Sequence, residues 1–210
     1  ASVIKEIPRS LPGVDEIKVL VLNDGSSDNT ARIAKEAGAD FVISHKKNKG
    51  LAVTFGDAIE EALKQGADIV VNTDADNHYD QSKIFDLISP ILNQEADIVV
   101  GGRKIENLET MPFINRLGNR IGSFVTYKLG GLPKLDVSSG FRAYSREAAL
   151  KLYVFSDHTY THSTLLNAAD HKLIIKEVPI KARKVTRKSR LIPSIPHFIV
   201  NAGVVIVRNI

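Results

Sequence analysis

Residues 69–76 read Ile69-Val70-Val71-Asn72-Thr73-Asp74-Ala75-Asp76. An apolar, β-branched run without alternation describes a strand, Ile69–Thr73, covered on both faces. Two carboxylates one residue apart follow it at once. The same order occurs earlier: Ile17–Asn23 (IKVLVLN) reads as a buried strand, and Asp24-Gly25-Ser26-Ser27 breaks it. Between these strands, Ser27 or Asp28 caps a helix, Asn29–Ala37, that stops at Gly38. Phe41–Ser44 is a further strand. Gly50–Gln65 is a helix with Leu51, Phe55, Ile59 and Leu63 at a spacing of four. Ile84–Asn93 is helical, and Ile98–Val100 is a strand ended by Gly101-Gly102. Strand–helix alternation with apolar strands predicts a mostly parallel α/β sheet covered on both faces. In such sheets ligands bind beyond the carboxyl ends of the strands, where Asn23-Asp24-Gly25 and Asp74-Ala75-Asp76 stand.

After Gly102 the pattern changes. Phe113–Leu129 reads as a long helix broken by Gly130-Gly131-Leu132-Pro133. Val137–Tyr144 carries Ser138-Ser139-Gly140-Phe141-Arg142. A helix near Thr161–Ala169 leads to a strand, Ile174–Ile180. A basic run, Lys181–Arg190, and an apolar-rich end, Ile192–Ile210, complete the chain. There is no internal repeat, low-complexity segment or obvious linker.

Composition narrows the class. The 210 residues are 43% hydrophobic and 25% charged, which excludes fibrous and disordered chains. With no cysteine there is no disulfide, thiolate nucleophile or Cys-ligated zinc. The net charge of +4 is uneven. Residues 181–210 hold 7 basic and no acidic side chains, against 21 basic and 24 acidic in residues 1–180. A local anionic partner fits this better than a generally basic surface, and the run lacks the interleaved aromatics of a nucleic-acid site. No apolar stretch is long enough for a transmembrane helix, and the start, ASVIKEIPRS, does not read as a secretory signal.

Each motif has a chemical reading and a plainer one. Asp74 and Asp76 are suited to hold Mg²⁺ or Mn²⁺, which prefer oxygen ligands and share their shell with phosphates. The tripeptide alone reads equally as a solvated acidic turn. Asp24-Gly25-Ser26-Ser27-Asp28-Asn29-Thr30 offers free backbone N–H groups to a nucleoside or phosphate, or is simply a turn and cap. Lys181–Arg190 has six cations in ten residues, suited to phosphate or to an anionic lipid surface, or merely solvated. None of the six histidines sits in a metalloprotease or Ser/His/Asp pattern. There is no Walker A sequence and no G-x-G-x-x-G.

Six segments in this order resemble family 2 glycosyltransferases of GT-A fold, nearest to the dolichyl-phosphate mannose/glucose synthase branch. They are VLNDGSSDNT (21–30), KNKGLAVTFGDAIEEA (47–62), VNTDADNHYD (71–80), ADIVVGGRKI (96–105), DVSSGFRAYSREAALKL (136–152) and IKEVPIKARKVTRKSRL (175–191). The resemblance implies a metal-dependent, inverting transfer of a sugar from a nucleotide sugar, with residues 1–191 as the catalytic domain. It places Asp74 and Asp76 on the metal and the donor diphosphate, with Asp76 the more direct ligand, and Ala75 between them in the donor site. Asp24 matches the residue facing the nucleoside base, and Lys49 and Gly50 match a nucleotide-side turn. Gly140, Phe141 and Arg142 match the acceptor-side segment. Arg183, Arg187, Lys188, Ser189 and Arg190 lie where the family keeps basic residues near phosphates.

Three departures refine the expectation. The family opens on a strand of the type V-x-I-P-x-Y-N-E, and this chain starts one helix later, so the sheet is expected to lack that first strand. His78 and Ser163 stand where relatives often carry Gln and Glu. Loss of that Glu leaves His162 or Asp136 as substitute base, or points to an acceptor that needs none, such as polyprenyl phosphate. Relatives often continue into transmembrane helices beyond the equivalent of Ile210; residues 192–210 are accordingly expected near a membrane. The resulting picture is a cytoplasmic enzyme at the membrane face that uses a nucleotide sugar and a lipid phosphate and binds no nucleic acid. A non-catalytic glycosyltransferase-like module and a sugar-phosphate nucleotidyltransferase are the rival readings.

Overall fold

The computed structural model describes residues 1–103, 135–152 and 160–183. The expected helix Phe113–Leu129, the segment 192–210 and residues Arg187, Lys188, Ser189 and Arg190 lie outside them. A short helix α1 (Ser2–Glu6) precedes β1 (Leu20–Asn23), α2 (Thr30–Glu36), β2 (Phe41–Ser44), α3 (Leu51–Lys64) and β3 (Ile69–Asn72). A 3₁₀ turn (Gln81–Lys83) leads to α4 (Ile84–Leu92) and β4 (Ile98–Arg103). Then come β5 (Arg142–Ser145), α5 (Arg146–Lys151), α6 (Tyr160–Asp170) and β6 (Ile175–Ile180).

The strands form two sheets, a parallel β1–β2 pair and a four-stranded sheet in the order β3-β5-β4-β6. β4 pairs with β6 in parallel, and β5 runs antiparallel to both β3 and β4. Three of the four strands therefore share one direction around one reversed strand. Among the described residues no ladder joins β1 to β3. Helix α3 lies against β1 and, through Phe55 and Ile59, against the face of the larger sheet that carries Ile98 and Tyr144.

Alternation along β4 and β5 divides the core. Val99 and Ala143 face α4, with Leu87, Ile88 and Ile91. Ile98 and Tyr144 face α3, α5 and α6, with Phe55, Ala148, Tyr160 and Ala168. Fully buried side chains such as Leu87, Ile98 and Leu165 each contribute about 1.5–3 kcal/mol relative to exposure.

Two sequence expectations change. The buried stripe of α3 is Ala52, Phe55 and Ile59, while Leu51 is turned to solvent. A strict spacing of four advances ~400° per step against a 360° turn, so the stripe's start drifts off the core face. In addition, β4 does not stop at Gly101-Gly102 but runs through them, paired with Val178 and Pro179. These glycines admit neighbours rather than breaking the strand. A Cβ on Gly102 would lie 2.2 Å from Glu177 Cδ, and one on Gly101 would lie 3.1 Å from Phe141 O.

Candidate active site

The site begins where β1 and β3 end. At the tip of β1, Asp24 gathers the loop that follows β2. Its Oδ1 accepts Lys49 N at 2.8 Å, and its Oδ2 accepts Gly50 N at 3.0 Å. His45 is almost fully buried between two carboxylates, with Nδ1 2.8 Å from Asp24 Oδ1 and Nε2 2.9 Å from Asp57 Oδ2. Lys49 Nζ reaches the same Asp57 oxygen at 2.9 Å. Burial raises the pKa of Asp24, but the hydrogen bonds from His45, Lys49 N and Gly50 N outweigh it and hold the carboxyl below its usual range. The two loops interlock at Gly25, where a Cβ would sit 2.6 Å from Asn48 N; its φ of 70° also favours glycine. Asp24, Lys49 and Gly50 thus come together, and His45 and Asp57 join them.

At the tip of β3, the two carboxylates point differently. Asp76 is exposed, and its Oδ1 accepts His78 N at 3.0 Å. Asp74 points inward. Burial first, and then the charge of Asp76, push its carboxyl up to about 6, against the pull of Arg103 and Arg142. Ala75 lies exposed between them. The wall opposite Asp74 is Gly140. A Cβ there would be 2.9 Å from both Asp74 Oδ2 and Tyr160 Oη. Gly140 N donates to Tyr79 Oη at 3.0 Å, and Gly140 O accepts Asn72 Nδ2 at 2.7 Å. Asn72 Nδ2 also donates to Tyr160 Oη at 2.9 Å.

The donor set fits Mg²⁺ or Mn²⁺. Two like charges are forced together, one of them desolvated, and a divalent cation relieves that repulsion. Among the described residues no third His, Asp or Glu completes a cluster. Two protein carboxylates, with phosphate and water oxygens for the remainder, is the usual arrangement for these hard ions.

Several expected site residues have other work. Arg142 is fully buried, and its guanidinium is taken up by Ser139 O, Thr161 O and Val137 O, each at 2.8 Å, and by Thr164 Oγ1 at 3.0 Å. Phe141 is equally buried and stacks on Tyr79 at 5.1 Å. Both side chains hold the 136–142 segment against α6 and the β3 turn. Asp136 forms a two-point pair with Arg103, Nε to Oδ2 at 2.7 Å and Nη2 to Oδ1 at 3.0 Å. Burial raises its carboxyl, but Arg103 and Ser138 win and keep it low, so Asp136 is a poor proton acceptor. His162 is pushed down to about 4, by burial and then by Arg142, and is neutral at pH 7. Ser163 is buried, its Oγ donating to Tyr160 O at 3.1 Å. Arg183 reaches Glu6 Oε2 at 2.6 Å, Asn77 Oδ1 at 2.8 Å and Asp80 Oδ1 at 3.3 Å.

The family model described as Glycosyl transferase family 2 matches residues 1–153. The chain belongs to glycosyl transferase family 2. It is a nucleotide-sugar glycosyltransferase of GT-A fold, which sets aside the nucleotidyltransferase reading. A UDP-N-acetylglucosamine–dolichyl-phosphate N-acetylglucosaminyltransferase of Methanococcus voltae is 33% identical over 201 residues, covering 85% of this chain and 79% of that protein. A dolichyl-phosphate hexose transferase of Haloferax volcanii is 33% identical over 199 residues, covering 91% and 80%. An uncharacterized protein of Methanocaldococcus jannaschii is 36% identical over 168 residues, covering 78% and 69%. In fold, the glycosyltransferase is similar to glucosyl-3-phosphoglycerate synthase from Mycobacterium tuberculosis, crystallised with Mn²⁺, UDP-glucose and phosphoglyceric acid. The TM-score is 0.75 at 21% identity, over 99% of this chain and 73% of that one.

His45 and Arg103 escaped the sequence reading as site residues. Arg103 lies inside a quoted segment, ADIVVGGRKI, but its partner Asp136 is 33 positions away. His45 follows β2 directly, and a histidine ending a strand beside one loop carboxylate, Asp24, and one on α3, Asp57, has no sequence signature.

Proposed function

We propose that this glycosyltransferase transfers a hexosyl unit from a nucleotide sugar to a polyprenyl phosphate of the dolichyl type, inverting the anomeric configuration. The observation that carries it is the Asp74/Asp76 pair, one carboxylate half-buried against Gly140 and one exposed, at the carboxyl end of β3. The names of the relatives from Methanococcus voltae and Haloferax volcanii support the acceptor class.

Asp74 and Asp76 are the residues that would hold Mg²⁺ or Mn²⁺. The ion, when bound, supplies positive charge where negative charge builds on the leaving oxygens. Asp24, with Lys49 and Gly50 drawn to it, forms the nucleoside end of the pocket. A phosphate oxygen of the acceptor attacks the anomeric carbon from the face opposite the diphosphate. The new C–O bond forms as the bond to the diphosphate breaks, with no covalent enzyme intermediate. The basic residues Arg187, Lys188 and Arg190, with Ser189, receive acceptor or donor phosphate, while Arg183 anchors the run beside the β3 turn. An ionised phosphate needs no general base. The low proton affinities of Asp136 and His162 agree with that, and Arg103, Asp136 and Arg142 act by position.

The test is direct transfer. Radiolabelled UDP-glucose, UDP-N-acetylglucosamine and GDP-mannose are each supplied with Mn²⁺ and one of three acceptors: dolichyl phosphate, phosphoglyceric acid or dolichol. Labelled lipid from dolichyl phosphate alone is expected. Transfer to phosphoglyceric acid or to the free alcohol at equal rate would overturn the acceptor assignment.

A further inference from the structure

The turn that carries Asp74 and Asp76 is held on two sides. On the solvent side Arg183 grips Asn77 and Asp80, and its own N–H donates to His78 O at 2.8 Å. Asn77 itself adopts a φ of 63°, sparsely populated for a residue with a side chain, so the turn has to be held in shape. On the buried side stands Gln81, with no exposed surface. Its Nε2 donates to Thr73 Oγ1 and to Tyr79 O, both at 3.1 Å. Thr73 immediately precedes Asp74, and Tyr79 follows Asp76 by three residues. One amide therefore ties together the two legs of the turn. Its other end, Oε1, is buried and has no hydrogen-bond partner among the described residues.

A buried acceptor left unpaired costs stability. Gln81 thus carries a cost that packing alone does not require. What the amide offers is the fixed closure of the turn. Tyr79 extends the effect, since its hydroxyl accepts Gly140 N, the glycine that walls Asp74.

We propose that Gln81 is a positioning residue for the metal-binding turn, acting through Thr73 and Tyr79 on the spacing of Asp74 and Asp76. The inference rests on the proposed metal role of that pair. The test uses the whole chain, with Mn²⁺ binding followed by electron paramagnetic resonance of free Mn²⁺, in the presence of UDP and separately of GDP. Thermal melting in EDTA is run alongside. Gln81→Met, similar in length and apolar, is expected to weaken Mn²⁺ binding about 10-fold, a typical loss when a group holding a ligand in place is removed. Its melting temperature in EDTA is expected to fall by no more than a few degrees, because loss of the unpaired oxygen offsets the donor taken from Tyr79 O and Thr73 Oγ1. Thr73→Val deletes one contact with an isosteric side chain and is expected to give a smaller loss in the same direction. If the parent binds Mn²⁺ and both variants bind it equally well, Gln81 is only a core residue and the proposal falls. A loss of Mn²⁺ binding that merely tracks a loss of melting temperature would also overturn it. If the parent binds no Mn²⁺ with either nucleotide, or Asp76→Asn binds it as well as the parent, the metal reading fails and takes the inference with it.

Discussion

Asp74 is the residue at which structure and chemistry conflict most openly. Its carboxyl, ordinarily near 3.8, is pushed up to about 6 by burial and by Asp76. The folded chain therefore binds this proton more tightly than the unfolded chain. Stability from this group is fully present below about pH 4 and is lost as pH rises through about 6. At roughly 1.4 kcal/mol per pKa unit, the loss is at most about 3 kcal/mol. Asp74→Asn removes that penalty. In EDTA, urea denaturation should show the variant more stable than the parent at pH 8 and equal to it at pH 4. Added Mn²⁺ with UDP or GDP should stabilise only the parent, because metal binding draws the charged form. Gly140 belongs to the same problem. Gly140→Ala places a methyl 2.9 Å from both Asp74 Oδ2 and Tyr160 Oη, closer than real Cβ contacts come. Overpacking of this kind costs about 1–3 kcal/mol. Transfer activity should fall further than that loss of stability accounts for, since the displaced atom is a carboxylate oxygen of the site.

At the scale of elements, the segment from Asp136 to Arg142 is fastened by arginines rather than by apolar packing alone. Arg103 at the end of β4 grips Asp136, and Arg142 at the start of β5 grips the segment's own carbonyls and α6. Asp136→Asn leaves the Arg103 guanidinium buried without its counter-charge. Breaking such a pair costs about 3–5 kcal/mol, to be read as a lowered urea midpoint with an unchanged slope. If the variant unfolded at the parent's midpoint, the pair would be a bystander. The sequence disclosed these elements unevenly, for physical reasons. β1, β2 and β3 were legible because an unbroken β-branched run has little other use. β4 was cut short because glycine breaks strands by propensity, whereas here it makes room for Glu177 and Phe141. The reversal of β5 was illegible, since strand direction depends on the path of residues far away in the chain. Arg142 and Phe141 were read as acceptor contacts because a motif gives residue type and order but not depth. The carboxylates of the site were legible because they follow an apolar strand directly. Their supports, His45, Gln81 and Arg103, were not, because a support is defined by what it touches.

At the scale of the molecule, the chemistry of the acceptor decides what a transferase of this kind has to supply. The two side chains expected as substitute bases, Asp136 and His162, are held respectively as a paired anion and as a neutral ring near pKa 4. A hydroxyl acceptor would need one of them to take its proton in the transition state, an assistance typically worth ~10²–10⁴-fold. A phosphate monoester ionises by itself, with a second pKa near 6 for the phosphorylated side chains that serve as its model. The pH dependence therefore separates the two chemistries. With dolichyl phosphate and saturating Mn²⁺ and donor, kcat/KM should rise through about pH 6 and stay level to pH 8, tracking the acceptor's own ionisation. His162→Gln should keep that profile, because an imidazole titrating near 4 is already neutral across the whole range. A profile that shifts with His162→Gln, or one that keeps climbing above pH 7, would mean that a protein base removes the acceptor's proton. The phosphate would then be a handle for binding rather than the nucleophile.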